Sequence, residues 1–180
     1  MKLSNLYYIS SLVLLLLVSC HEEETKDVLV KPESLPLKSL GNTIEKRGST
    51  NNGYEISVWI NGDCLPCILE MGNWHSIYHR FALPYDIRMN FYVYSQFDYT
   101  LFEETMKNTL FSALPVYYDT NNSFIKGNNF EMGKADCFFT KNDTILLRGN
   151  LVRDRKLYSV FADKVKKLEK VYDISFFDFK

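Results

Sequence analysis

The sequence has little cysteine, glycine or proline, and neither sign of charge is in excess. Its 180 residues include four Cys, eight Gly and five Pro, and 21 Lys and Arg oppose 22 Asp and Glu for a net charge of −1. The cysteines are too few and too unevenly spaced for a disulfide-stapled scaffold. The charge balance argues against a nucleic-acid partner held by charge alone. With 46% hydrophobic and 24% charged residues, the composition is that of one globular domain, and of neither a disordered nor a fibrous chain.

The amino terminus has the pattern of a lipoprotein signal peptide. It carries one Lys near the start, an apolar run at positions 12–18 and a small residue before Cys20. The run is shorter than the roughly 20 apolar residues that span a bilayer. The last four residues, Leu17-Val18-Ser19-Cys20, resemble the bacterial lipobox, whose cysteine is lipidated and begins the mature chain. We therefore predict a signal peptide over 1–19 and lipidation at Cys20. The alternatives are an ordinary signal with a chance cysteine, or a buried helix.

The segment 20–53 is predicted to be a flexible tether that could include a short strand. It is rich in Lys, Asn, Ser, Pro and Gly and has little hydrophobic periodicity. The acidic triplet at 22–24 is either a surface-export signal of bacterial lipoproteins or a solvated spacer. Because His21 and not Asp follows Cys20, the commonest sorting rule predicts the outer membrane of a bacterial cell envelope. Both the periplasmic side and the cell surface stay open.

Residues 54–180 are predicted to form one α/β domain. Short apolar runs of strand-forming residues alternate there with segments of helical period. Strands are predicted at 54–60, 89–95 and 115–119, with a hairpin at 137–140 and 144–148. Helices are predicted at 64–81, 101–111 and 157–172, with a short helix or turn at 122–129.

Cys64 and Cys67 give the strongest chemical signal in the sequence. They form a Cys-x-x-Cys motif directly after a predicted strand and turn, at the first turn of a predicted helix. Free N–H groups and the dipole at a helix N-terminus stabilise a thiolate, so the pKa of Cys64 is expected below the free value of about 8.5. Cys64 can then attack a substrate disulfide, and Cys67 can resolve the mixed disulfide. Half of a zinc site, a structural disulfide and chance are the alternatives.

This motif and the elements around it resemble the thioredoxin fold, and more closely the membrane-anchored thiol:disulfide oxidoreductases of the TlpA/ResA type. Cys64-Leu65-Pro66-Cys67, followed by Glu70-Met71, is similar to that family's Cys-x-Pro-Cys with its Glu-Met pair. The segment 115–119, the hairpin and the terminal helix follow in the family's order, and the similarity runs over about 54–168. The resemblance implies a central mixed β-sheet flanked by helices, Cys64 as nucleophile and Cys67 as resolving thiol, with Pro66 beside them.

Two departures from that family lie next to the motif. The family has a cis-proline opposite the active site, where this sequence has Lys134-Ala135-Asp136. A cis bond before a non-proline residue costs about 2.5–4 kcal/mol, so we expect a trans bond and an altered substrate-docking edge at Ala135. The family's aromatic residue before the first cysteine is replaced by Asp63. Its negative charge is expected to raise the pKa of Cys64 relative to a family member with Trp there.

Two further sets of residues are candidate ligands. Cys137 is interpreted as a buried small apolar residue, although the resemblance would place it near Cys64, where a third thiol could trap a mixed disulfide or help to hold a metal. His75 and His79 are four apart and share a helix face. We interpret them as exposed histidines, because a metal site would need a third ligand. No metal and no cofactor is predicted.

The predicted function is that of a lipid-anchored cell-envelope thiol:disulfide oxidoreductase acting on protein disulfides through Cys64 and Cys67. The predicted partners are protein thiols and disulfides, an unidentified redox partner, and the membrane through the lipid on Cys20, with no nucleic acid. The alternative is a redox-inert thioredoxin-like binding or interaction lipoprotein, which the missing proline and Asp63 favour. A copper or zinc carrier using Cys64, Cys67 and a histidine is a third hypothesis.

Overall fold

The computed structural model describes residues 27–39, 52–107, 115–128, 130 and 136–170. Within these residues one mixed sheet is formed by β1 Leu37–Ser39, β2 Tyr54–Asn61, β3 Arg88–Tyr94, β4 Pro115–Tyr118, β5 Cys137–Lys141 and β6 Thr144–Gly149. The helices are α1 Leu65–Leu69, α2 Met71–Ile77, α3 Thr100–Lys107, α4 Ser123–Asn128 and α5 Arg155–Lys166. A π-helical turn, Tyr78–Ala82, continues α2.

The strands lie in the order β1-β4-β3-β2-β5-β6. The neighbours β2, β3 and β4 run parallel, with helices in the connections between them. The hairpin of β5 and β6 pairs antiparallel beside β2, and β1 pairs antiparallel with β4 at the other edge. The predicted α/β class, with a central mixed β-sheet flanked by helices, is confirmed.

The central strand β2 is buried on both faces, which explains its nearly continuous apolar and β-branched sequence. Because side chains alternate along a strand, Ile56, Val58 and Ile60 belong to one core cluster and Trp59 to another. The first cluster also contains the buried side chains of α2, α3 and α5, and the second contains those of α4. The sheet therefore has helices packed on both faces, and the end of β2 leads directly into the Cys-x-x-Cys turn.

The predicted helices agree with the structure in place and differ in length. The segment predicted as one helix over 64–81 consists of α1, α2 and the π-helical turn in succession. The helix predicted at 157–172 is α5, which begins earlier because the Asp154 carboxylate accepts hydrogen bonds from the N–H groups of Lys156 and Leu157. The predicted ends at 108–111 and 171–172 lie outside the described residues.

Residues 27–39, predicted as part of the tether, make contacts with the sheet. The Leu29 side chain is buried in the second core cluster. The Leu29 N–H donates to the Asp143 carbonyl at 2.8 Å, and the Asp27 carbonyl accepts from the Ile145 N–H at 2.8 Å. The segment then ends in β1, and the prediction for the tether included the possibility of a short strand. We call residues 27–39 the N-terminal segment.

Lys31 holds the N-terminal segment to the sheet through two carboxylates. Its Nζ lies 2.9 Å from Oε2 of Glu55 and 2.5 Å from Oδ1 of Asp143. The Glu55 side chain is buried and also accepts a hydrogen bond from the Ser57 hydroxyl. Burial by itself lowers the pKa of Lys31, but the hydrogen bonds with Asp143 and Glu55 outweigh it and raise the pKa above its ordinary value. Lys31 therefore stays charged and stabilises a buried carboxylate.

Replacing Lys31 with methionine is expected to lower the free energy of unfolding by about 2 kcal/mol. The variant loses the cation that offsets the cost of burying the Glu55 carboxylate. Arg88, 3.8 Å from Glu55, limits the loss. Since the folded pKa of Lys31 is raised, its contribution is complete below the unfolded pKa and is lost as the pH rises through the folded pKa. The difference between wild type and variant, measured by urea unfolding, should therefore narrow in the alkaline range.

Lys38→Met is the matched control for this experiment. Lys38 lies in the same segment and pairs with Glu103 at 3.3 Å, but its side chain is mostly exposed. An exposed ion pair contributes about 0–1 kcal/mol. An equal loss of stability in the two variants would show that Lys31 does not act through the buried carboxylate.

Further predictions lie outside the described residues. They include the signal peptide over 1–19, the lipidation of Cys20, the sorting and export signals at 21–24 and the trans bond at Ala135. Among the helices that the structure does describe, none combines the length and hydropathy needed to cross a membrane.

Candidate active site

The Cys-x-x-Cys motif lies in a tight turn at the end of β2. The Gly62 N–H donates to the Tyr94 carbonyl of β3 at 2.7 Å. A Cβ at this position would lie 3.1 Å from a methyl carbon of Val93 and 3.2 Å from the Tyr94 carbonyl oxygen. Glycine is thus suited to the close approach of the turn to β3. Asn61 closes the turn by accepting the Asp63 N–H on its side chain at 2.9 Å and the Cys64 N–H on its carbonyl at 3.3 Å.

Cys64 and Cys67 are joined by a disulfide at the start of α1. The S–S distance is 2.10 Å and the Cα atoms are 5.2 Å apart. Both residues are partly exposed. Cys64 caps the helix, and its Sγ accepts a hydrogen bond from the Cys67 N–H at 3.3 Å. The lowered pKa expected for the reduced Cys64 thiol stays a prediction. Pro66 lies in the first turn of α1, exposed.

Asp63 anchors the Cys-x-x-Cys turn to the loop that follows β3. Its Oδ2 accepts the Gln96 N–H at 2.7 Å, and its Oδ1 accepts the Ser95 hydroxyl at 2.5 Å. The sequence predicted only the effect of the Asp63 charge on the pKa of Cys64, and that effect stays a prediction. The anchoring role depends on contacts with residues more than thirty positions along the chain, which no local pattern indicates.

A crevice of about 30 Å³ lies beside Cys67, large enough for one water molecule. Its walls are formed by Trp59, Ile60, Asn61, Cys67, Glu70, Trp74, Asp136, Asn150 and Arg153. Sequence reasoning did not assign a role at the site to Glu70, Asp136, Asn150 or Arg153. The available signals were the Glu-Met pair that contains Glu70 and the position of Asp136, between the loop around Ala135 and β5.

Asp136 places a buried carboxylate in this crevice. The residue is 9% exposed. Its Oδ2 accepts from Nδ2 of Asn150 at 3.0 Å and lies 3.6 Å from a guanidinium nitrogen of Arg153. Its Oδ1 has no hydrogen-bond partner among the described residues. Arg153 also donates to Glu70 at 2.6 Å, and this hydrogen bond raises the pKa of Arg153. The wall of the crevice beside Cys67 is therefore strongly polar.

Cys137 is a core residue, as the sequence interpretation had it. It lies on β5 opposite Val58 of β2 and joins the core cluster that contains Ile56 and Phe139. Burial, and then the charge of Asp136, raise the pKa of the Cys137 thiol. The thiol is therefore protonated at neutral pH, and a protonated thiol is a poor nucleophile.

His75 and His79 share a helix face, as their spacing predicted. Their Nε2 atoms are 2.9 Å apart, and both residues are partly buried, not exposed as predicted. In the part of the chain that the structure describes, no three His, Cys, Asp or Glu side chains come close enough together to hold a metal ion. The histidine pair therefore lacks a third ligand of these types within that part.

No protein-family model matches this chain, and no curated protein sequence matches it. Among solved structures, it is similar to the thioredoxin domain of a thiol-disulfide oxidoreductase from Bacteroides vulgatus, with 13% sequence identity and a TM-score of 0.46. The match covers 76% of this chain and 99% of that domain.

Proposed function

We propose that this protein is a thiol:disulfide oxidoreductase, with Cys64 and Cys67 as its catalytic residues. The observation that carries the proposal is the position of the Cys64–Cys67 disulfide, which is partly exposed at a helix start directly after the central strand. A cysteine pair that is accessible and has an N–H donor at its first sulfur has the features of a reactive thiol pair. The separate, buried Cys137 takes no part.

The reduction of a substrate disulfide proceeds in two exchanges. The Cys64 thiolate attacks one sulfur of the substrate disulfide, forms a mixed disulfide and releases the other sulfur as a thiolate. The Cys67 thiolate then attacks Sγ of Cys64, which releases the second substrate thiolate and forms the Cys64–Cys67 disulfide. Two electrons pass to the substrate, and a dithiol reductant must reduce the pair again. The reverse sequence oxidises a substrate dithiol.

We place the protein in the bacterial cell envelope, anchored by a lipid on Cys20 and directed to the outer membrane. The support is the amino-terminal sequence alone, with its short apolar run and the Leu17-Val18-Ser19-Cys20 lipobox. Envelope compartments outside the cytoplasm are where disulfides form and persist. Protein thiols and disulfides of that compartment are the proposed substrates.

The reduction potential of the Cys64–Cys67 pair tests the proposed function. Wild-type protein is equilibrated in glutathione buffers until the ratio of oxidised to reduced Cys64–Cys67 pair is constant. The oxidised fraction is then measured by alkylation and mass spectrometry. We expect a potential between about −120 and −270 mV, the range of catalytic pairs. A potential below about −300 mV, typical of structural disulfides, would support the redox-inert binding protein instead. Cys137→Ala is the control, and it should leave the potential unchanged.

A further inference from the structure

A groove of about 330 Å³ lies between α2 and α5. Asn73 and Ile77 of α2 and Arg80 of its π-helical continuation line one side, at spacings of four and three residues that bring side chains to one side of a helix. Arg155 and Tyr158 of α5, three residues apart, line the other side. We call this cavity the α2–α5 groove. It shares no lining residue with the crevice of the candidate active site.

The α2–α5 groove is lined by two guanidinium groups and, among the described residues, by no carboxylate. Within the part of the chain that the structure describes, neither Arg80 nor Arg155 forms an ion pair. The acidic residues nearby in the sequence are engaged elsewhere, because Asp154 caps α5 and Glu70 pairs with Arg153. Since arginine is not deprotonated in proteins, the groove has two positive charges that the described residues do not neutralise.

Hydrogen-bond donors from both helices converge on the groove. Arg80 donates to the Tyr158 hydroxyl oxygen at 3.3 Å, which leaves the hydroxyl proton for a ligand. The Tyr158 ring is also held edge-to-face against Phe81, at 5.8 Å between centroids. The side chains of Asn73 and Arg155 form no hydrogen bond with another described residue, so their N–H groups add further donors. Such a set of donors suits an anion with several oxygen atoms.

The groove also has an apolar floor. Ile77 and Leu151 line it and are 5% and 3% exposed. A volume of about 330 Å³ lies within the range of small-molecule sites, and an inorganic anion would fill only part of it. The groove therefore fits an anion that carries an organic group, with the charge at the arginines and the organic group on the floor.

We propose that the α2–α5 groove binds a phosphate monoester, with the phosphate between Arg80 and Arg155. Guanidinium groups match phosphate oxygens with paired hydrogen bonds. A phosphate monoester has three acceptor oxygens and a charge of about −1.5 to −2 at neutral pH, whereas a carboxylate has two oxygens and a single charge. The monoester therefore matches two cations better. It is either a small soluble molecule or the headgroup of a lipid, and its binding does not depend on the reactivity of the cysteine pair.

Titration calorimetry of the full chain, carrying Cys20→Ser so that no lipid is attached and purified in dodecyl maltoside, tests this proposal. The probes are phenyl phosphate, inorganic phosphate and benzoate. Phenyl phosphate should bind at least about tenfold more tightly than inorganic phosphate, because its ring covers the apolar floor. It should also bind at least about tenfold more tightly than benzoate, which has fewer oxygens and less charge. Phosphatidic acid added to the micelles should displace phenyl phosphate if the natural ester is a lipid headgroup, and should leave it bound if the ester is soluble.

Arg155→Gln should weaken the binding of phenyl phosphate by at least about tenfold, through the loss of one charged hydrogen-bond donor. Lys156→Gln is the matched control, because Lys156 is the next residue of α5, is equally charged and exposed, and does not line the groove. It should change the affinity by less than about twofold. Equal weakening in the two variants would indicate a general effect of charge and overturn the inference. So would equal binding of benzoate, or a wild-type chain that does not bind phenyl phosphate, and each of these results leaves the proposed redox function in place.

Discussion

Replacing Cys64 with serine is expected to lower the rate of insulin reduction by at least about a thousandfold, since the thiolate is the nucleophile and a serine hydroxyl is not activated at this position. Cys64 is the cysteine whose Sγ accepts the helix N–H. Cys137 cannot replace it, because its thiol is buried in the core with a raised pKa. The measurement is the turbidity of insulin chains released under dithiothreitol, with the background rate of the reductant subtracted.

Cys67→Ser is the matched variant for this experiment, because it removes the second sulfur and keeps the first. Cys64 should still attack insulin, but the mixed disulfide should persist without its resolving thiol. Mass spectrometry should then detect an insulin chain bound to Cys67→Ser and no adduct on Cys64→Ser. Equal rates of turnover in wild type and Cys64→Ser would refute the assignment of Cys64 as nucleophile.

Phe161→Ala is expected to lower the free energy of unfolding by about 3–5 kcal/mol, the usual cost of removing a fully buried Phe side chain. Phe161 is 0% exposed. Its ring makes edge-to-face contacts with Phe81, at 5.3 Å between centroids, and with Phe139, at 5.2 Å. It therefore connects α5 to the π-helical turn and to β5. Urea unfolding followed by far-ultraviolet circular dichroism measures the loss.

The adjacent residue on α5 provides the control for Phe161→Ala. Val160 is 47% exposed, and Val160→Ala should change the free energy of unfolding by no more than about 0.5 kcal/mol. A small loss of stability in Phe161→Ala, similar to that in Val160→Ala, would mean that Phe161 does not pack in the core cluster as described.

Local patterns in the sequence were sufficient for the elements whose burial is written in consecutive residues. The continuous apolar run of β2 indicates burial on both faces and the apolar stripe of α5 indicates burial on one, so strand, helix and the α/β class could be predicted from them. The N-terminal segment has no such pattern. Its attachment comes from single long-range contacts, such as Lys31 with Glu55 and with Asp143, and the sequence therefore predicted a tether.

The candidate site likewise has features that follow from neighbouring residues and features that depend on long-range contacts. The spacing and position of Cys64 and Cys67 are local, and they predicted that the two cysteines lie together at the start of a helix. The polar wall beside Cys67 brings together Glu70 and Arg153, which are 83 positions apart, and only the folded chain shows that they meet. The hydrogen bonds from Ser95 and Gln96 to Asp63 likewise join residues more than thirty positions apart, which no local pattern indicates.

The N-terminal segment joins the sheet at the end opposite the Cys-x-x-Cys turn. Val28 pairs with Thr144, beside the turn that lies next to the first residues of β2, whereas Cys64 follows the last residue of β2. At about 3.3 Å for each residue of β2, the two places are separated by most of the length of the sheet. Tension on the amino terminus would act on the hydrogen bonds of Asp27 and Leu29 and not on the Cys-x-x-Cys turn. A force transmitted through the proposed lipid on Cys20 would therefore reach the domain at Asp27, at the end of the sheet opposite the Cys-x-x-Cys turn.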